Sequence, residues 1–300
     1  MCHPRAHATS IATVSLSGTL PEKLEAAAAA GFDGVEIFAK DLQDFSGTAA
    51  DIRRYAAGLH LDILMYQPFR DFEAMPADQF AANMARAAQA FDAMEALGTD
   101  LLLVCSNVQD AASDDPERAA ADLWHLADAA AQRGLRIGYE ALAWGRHVRH
   151  WRQAWDIVQR ANHPALGLIL DSFHTLALAA SQGEPVAEAL RGIDTIPADR
   201  LFFVQLADAP RMALDVLSWS RHHRNFPGQG ELDVANFARA VRRTGYLGPL
   251  SLEIFNDVFR VTPPLPVARD GLRSLQWIKQ QWVDKRASTD QATATSALRS

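Results

Sequence analysis

The chain has 300 residues, 49% of them hydrophobic, which is enough to bury the core of one large α/β domain. A formal net charge of −7 and a sequence pI of about 5.8 exclude a broad electrostatic grip on nucleic acid or on an anionic membrane surface. Cys2 and Cys105 are too few for a disulfide framework, no apolar leader opens the chain, and no apolar run approaches the roughly 20 residues that span a bilayer, so a reducing cytoplasm is the expected setting.

Ile11 to Leu16 predicts a first strand, and Pro21 to Ala30, Ala-rich with Gly31 behind it, predicts the helix that follows. Gly34 to Phe38 is a second strand, with a helix from about Thr48 to Leu59. Leu61 to Tyr66 is a third, running into Gln67-Pro68-Phe69-Arg70. A long helix from about Ala77 to Leu97 stops at Gly98 and leads to Leu101–Cys105, an unbroken apolar strand. Glu117 to Arg133 is helical, and Leu135 to Glu140 is a fifth strand that ends in an acid.

Trp151 to Ala161 predicts a helix before Leu166–Asp171, an apolar run of the kind buried on both faces of a parallel sheet. An irregular helical connection leads to a seventh strand, Leu201 to Gln205. Residues 206–230, with Pro210, Pro227, Gly228 and Gly230, read as one long loop of the functional kind. Val234 to Thr244 is helical, Leu250 to Ile254 is an eighth strand, and Val267 to Trp282 a last helix. The expected organisation is one domain over residues 1–284 and a disordered Ser/Thr/Ala-rich tail over 285–300. Eight strand-helix units predict a (β/α)₈ TIM barrel; a doubly wound nucleotide-binding sheet would need a Gly-rich turn after its first strand, which Ser15-Leu16-Ser17-Gly18 does not supply.

In such a barrel the fifth to eighth strands deliver Glu140, Asp171, Gln205 and Glu253 to one face. Three carboxylates that close repel one another unless a cation sits among them, and hard oxygen donors suit Mg²⁺ or Mn²⁺, with Co²⁺ also compatible. For each acid alone the alternative is an ordinary strand terminus, and for Asp171 a helix N-cap. Arg70 and Arg224 stand near the same mouth as either anion-binding forks or solvated charges, whereas Arg211 and Arg221 read as solvated loop charges. His174 reads equally as an acid or base facing the metal and as a helix-start histidine bonded to backbone. Trp124, Trp155 and Trp277 read as core residues, and Arg146 to His150 as a solvated turn.

The segments Gly138-Tyr139-Glu140-Ala141-Leu142-Ala143-Trp144-Gly145, Leu170 to His174, Val204 to Pro210 and Phe226 to Asp233 resemble those of bacterial 3-dehydroshikimate dehydratases, within the sugar-phosphate isomerase/epimerase group of xylose isomerase-like TIM barrels. The resemblance runs from about residue 11 to 283. It implies metal ligation by Glu140, Asp171, Gln205 and Glu253, and substrate contacts from Arg70, His174, Ser220 and Arg224, the substrate being 3-dehydroshikimate in quinate and shikimate catabolism. Epimerases and isomerases of the group usually present a histidine where this chain has Gln205, which turns the expectation from sugar chemistry toward dehydration. Some members of the group carry a second, dioxygenase-like domain downstream. Of Glu140 and His174, the histidine is the expected general base, because a carboxylate tied to a cation loses proton affinity. Competing expectations are a metal-dependent sugar or inosose epimerase, isomerase or dehydratase, an endonuclease-type relative, and a non-catalytic sugar-binding barrel.

Overall fold

A computed structural model of the protein describes residues 6–282. The tail expected from residue 285 lies outside the described residues. Eight parallel strands close in sequence order, each hydrogen-bonded to the next and the last to the first, as the eightfold alternation requires. They are β1 Thr9–Ala12, β2 Gly34–Phe38, β3 Asp62–Phe69, β4 Leu101–Cys105, β5 Arg136–Glu140, β6 Leu166–Asp171, β7 Leu201–Leu206 and β8 Leu250–Leu252. The helices are α1 Leu20–Ala30, α2 Ala39–Gln43, α3 Ala49–Gly58, α4 Phe80–Leu97, α5 Pro116–Ala131, α6 Trp151–Ala161, α7 Ser172–Gln182, α8 Val186–Leu190, α9 Val216–His222, α10 Val234–Arg243 and α11 Pro264–Gln281. Among the described residues no helix is long and apolar enough to cross a membrane.

Strand side chains alternate between two cores, as period-two geometry demands. On β4, Leu101, Leu103 and Cys105 point to the barrel interior with Met65, Leu142, Ile169 and Phe203, while Leu102 and Val104 join the outer core beneath the helices. The interior is tight enough to dictate a glycine: a Cβ on Gly138 would lie 2.4 Å from Ile169 Cδ1. Helix ends follow their local chemistry. Thr19 and Thr48 form capping boxes with Glu22 and Asp51, and Gly31, Gly98 and Gly183 end helices in left-handed conformation.

Several expectations need correcting. Residues 13–15 form a 3₁₀ turn instead of continuing the first strand. The segment 206–230 is not one loop: Asp215 caps α9 within it, its Oδ1 accepting from Ser218 N at 2.9 Å. Trp124 and Trp277 are 39% and 36% exposed, and so lie at the surface. The 146–150 turn is tied down, with Arg149 Nε donating to Ala143 O at 2.9 Å.

Candidate functional site

The C-terminal ends of the strands carry a buried polar cluster. Register fixes its layout: Asp171 pairs with Gln205 across β6 and β7, and Gln205 with Ser251 across β7 and β8, while Glu140 closes β5 and Glu253 follows directly on β8. Asp171 meets both of its sequence readings, because Oδ1 accepts from Phe173 N at 2.5 Å and caps α7 while Oδ2 faces the cluster.

Arg224 sits in the middle and is only 1% exposed. Its Nη1 donates to Asp171 Oδ2 at 2.8 Å and to Glu253 Oε2 at 3.0 Å. Ser220 lies behind it, Oγ accepting from Nη2 at 2.8 Å and Nε at 3.1 Å. The backbone around Arg224 is equally constrained. Its N–H donates to Phe255 O at 3.1 Å, Asn256 Nδ2 donates to its carbonyl at 2.9 Å, and the Asp208 carboxylate accepts from the N–H groups of Ala209, Gly228, Gly230 and Leu232, which pins the segment that follows. The expected substrate contacts at Ser220 and Arg224 are thus engaged with each other and with two of the expected metal ligands.

His174 stands on the first turn of α7, with Nε2 3.9 Å from Glu140 Oε1 and 3.8 Å from Asp171 Oδ2. Its Nδ1 accepts from Ala143 N at 3.2 Å, and Arg149 holds the carbonyl of that same residue. The backbone N–H and the Arg224 guanidinium, whose Nη2 lies 3.2 Å from Nε2, can each only donate, so the neutral ring, with one bare nitrogen, can accept from one of them. Burial, then the charges of Arg224, Arg70 and Arg221, hold the His174 pKa well below the usual histidine value, so the ring stays neutral. Donors thus face both ring nitrogens, Ala143 N–H at Nδ1 and Arg224 Nη2–H at Nε2.

The residues missed from sequence lie one level down and one level up. Below, Glu36 on β2 is fully buried, and its Oε2 accepts from Gln205 Nε2 at 2.7 Å and Gln67 Nε2 at 3.0 Å; Gln67 also donates to Glu253 Oε1 at 3.0 Å. An acid in the middle of Gly34-Val35-Glu36-Ile37-Phe38 was the available signal. Burial and the Glu253 charge push the Glu36 pKa up to about 8. Above, Arg221 lies across Trp144 and Phe255, Cζ being 5.7 Å and 5.0 Å from the ring centroids. It is part of the mouth, not a solvated loop charge. Arg211 is exposed, as expected.

The donor set fits a divalent cation. Among the described residues, ligand atoms of Glu140, Asp171 and His174 lie within 4.8 Å of one another, and the buried Oε1 atoms of Glu140 and Gln205 have no hydrogen-bond partner. Burial, then the charges of Glu253 and Asp171, raise the Glu140 pKa well above the carboxylate range; burial raises Asp171 to about 6 against the pull of Arg224. Arg224 is paired with Asp171 and Glu253, and Glu140, whose pKa those two acids raise, is left for a cation to balance.

Comparison with known proteins follows the same lines. A model of the xylose isomerase-like TIM barrel family matches residues 24–281. The chain is 59% identical to the 3-dehydroshikimate dehydratase of Pseudomonas aeruginosa over 91% of its own length and 42% of that protein's, so it spans less than half of that relative. It is 29% identical to the 3-dehydroshikimate dehydratase of Neurospora crassa, over 87% of this chain and 88% of that protein. Among solved structures, a xylose isomerase-like TIM barrel/4-hydroxyphenylpyruvate dioxygenase fusion protein superposes with a TM-score of 0.88 at 55% identity, covering 96% of this chain and 44% of that one.

Proposed function

The chain belongs to the xylose isomerase-like TIM barrel family, and from that membership we propose that it is a hydro-lyase converting 3-dehydroshikimate to protocatechuate and water. The observation that carries this reading is the 59% identity to a 3-dehydroshikimate dehydratase along 91% of the chain, a span that includes every residue of the cluster. The cluster's chemistry supports it. The substrate is an anionic cyclic enone with vicinal hydroxyls, and the site offers cationic forks, a buried proton acceptor and a set of hard donors.

A divalent cation held by Glu140, Asp171, Gln205 and Glu253 would act as a Lewis acid on the substrate carbonyl and ease removal of the neighbouring proton. The protein's own residues do the rest. With one oxygen of Glu140 given to the cation, the other accepts the proton from the activated carbon, and burial of that carboxyl beside Glu253 and Asp171 counters the proton affinity the cation withdraws. The guanidinium of Arg224, its Nη2 3.2 Å from His174 Nε2, holds a substrate oxygen beside that ring. The lost proton and the departing hydroxide balance as water, and ring aromatisation draws the reaction forward. Arg224 also keeps Asp171 and Glu253 from repelling each other.

The test is to incubate the chain with 3-dehydroshikimate and Mg²⁺ or Mn²⁺, with ketoses and inososes as parallel substrates, and to follow the ultraviolet band of the aromatic product. Metal-dependent appearance of that band from 3-dehydroshikimate alone is the expected result. Turnover of a ketose or inosose in its place would reassign the barrel to epimerase, isomerase or inosose dehydratase chemistry.

A further inference from the structure

Arg70 and Arg221 are two half-buried guanidinium groups that make no side-chain hydrogen bond or ion pair among the described residues. This is unusual, because burying a charge without a partner is costly and such groups are normally paired. Arg224, their neighbour, is fully engaged by Asp171, Glu253 and Ser220. Arg221 is held in place by aromatic faces, stacked over Trp144 and Phe255, and the Trp144 ring centroid lies 4.9 Å from that of His174. Arg221 therefore stands at the mouth beside the histidine, and Arg70 follows directly on β3 at the same end of the barrel. Burial, then the Arg70 charge, lowers the Arg221 pKa against the pull of Glu253, so the two guanidinium groups are near enough to repel.

We propose that Arg221, together with Arg70, forms the subsite for the carboxylate of a cyclic acid substrate, and that this pair selects charged ring acids over neutral sugars. The proposal rests on the dehydratase reading above and deepens it. A carboxylate satisfies both forks bidentately and neutralises the repulsion between them. A neutral ketose or inosose of the same ring size leaves both charges buried and unpaired, so the site discriminates by what it fails to satisfy. Arg221 reaches this position only because α9 interrupts the long 206–230 connection and turns its last residues toward Trp144.

The experiment compares the intact chain with Arg221→Gln and Arg221→Lys, each checked for a native melting transition. Binding of protocatechuate and of catechol, the same diol ring without the carboxylate, is measured by calorimetry alongside turnover of 3-dehydroshikimate. In Arg221→Gln, KM for 3-dehydroshikimate and Kd for protocatechuate are expected to rise about 30- to 100-fold, with kcat changed by less than about fivefold and catechol binding unchanged. Arg221→Lys, which keeps the charge without the fork, should fall between. Equal affinity of the wild type for catechol and protocatechuate, or unchanged protocatechuate binding in both variants, would overturn the subsite. Absence of 3-dehydroshikimate turnover in the wild type, with a carboxylate preference that Arg221→Gln abolishes, would instead overturn the reaction and leave the subsite standing.

Discussion

Arg224 Nη1 donates to Asp171 Oδ2 at 2.8 Å, and both side chains are shut away from water. The same nitrogen reaches Glu253, so one fixed cation already offsets part of the carboxylate repulsion that, in the sequence, points to a metal alone. Arg224→Met keeps much of the bulk and removes the charge, leaving two buried carboxylates facing each other. Breaking a buried pair from one side costs about 3–5 kcal/mol. The expected outcome is a loss of that order in denaturant unfolding of the metal-free protein, partly recovered with saturating Mn²⁺, because a ligand that binds only the folded state stabilises it. A change within about 0.5 kcal/mol, the range of a surface substitution, would show that the pair contributes nothing to the fold.

Gln205 is the amide among the acids, and Glu36 settles which end of it is available. With Nε2 held by Glu36 Oε2 at 2.7 Å, Oε1 is left as a bare buried acceptor. Glu36→Leu removes the hydrogen-bond partner of that Nε2 among the described residues and lets the amide turn over. Outer residues that orient ligands are worth about 10- to 100-fold in metal affinity, and calorimetric titration of Mn²⁺ into Glu36→Leu should show a loss in that range. An unchanged Kd would mean that Gln205 is oriented by something other than Glu36.

These dependencies explain what could be read from the chain and what could not. Leu101–Cys105 and Leu166–Asp171 emerge directly, because a parallel strand covered on both faces needs an unbroken apolar run, and Gly34–Phe38 emerges as a strand although its central acid does not announce a role. Glu140, Asp171, Gln205 and Glu253 follow once eight units are counted, since closure brings consecutive strand ends together. Glu36 belongs to the other half of the barrel, and only its contact with Gln205 across the interior reveals it. Arg221 reads as a loop charge because what makes it a site residue is the pair of rings at Trp144 and Phe255, both distant in sequence. Local pattern carries the elements; contacts across the closed barrel carry the roles.

Glu73 supplies a pH dependence outside the metal cluster. It is buried, its Oε1 accepts from Asn107 N at 2.6 Å and Tyr139 Oη at 2.9 Å, its Oε2 has no partner among the described residues, and burial raises its pKa to about 7 from the ordinary carboxyl value of 4.5. A raised carboxyl pKa means that the fold favours the protonated form. Its contribution is therefore fully present below pH 4.5 and is lost as the pH rises through 7, a change on the order of 3 kcal/mol. Glu73→Gln cannot ionise, so its stability relative to wild type should climb by that amount between pH 4.5 and pH 8 in parallel denaturant titrations. Parallel curves at all pH values would show that Glu73 ionises in the fold as easily as in the unfolded chain.

The last prediction concerns the proton. The ring of His174 is expected from sequence to be the base, but groups that can only donate face both of its nitrogens, Ala143 N–H at Nδ1 and Arg224 Nη2–H at Nε2, each at 3.2 Å, so neither nitrogen is open to a substrate proton. Glu140 lies 3.9 Å from that Nε2, and with one of its oxygens on a cation the other can still accept, because burial beside Glu253 and Asp171 works against the proton affinity the cation withdraws. Glu140→Gln keeps an oxygen donor of the kind Gln205 already offers, so bound metal measured by elemental analysis should survive while kcat falls by at least about 10²-fold. His174→Asn keeps an N–H donor and should raise KM with kcat lowered by less than about tenfold. The two carboxamide variants thus separate the roles. A metal-replete His174→Asn that loses 10²-fold or more in kcat, beside an active Glu140→Gln, would return the base to the histidine and show that the Ala143 contact yields during turnover.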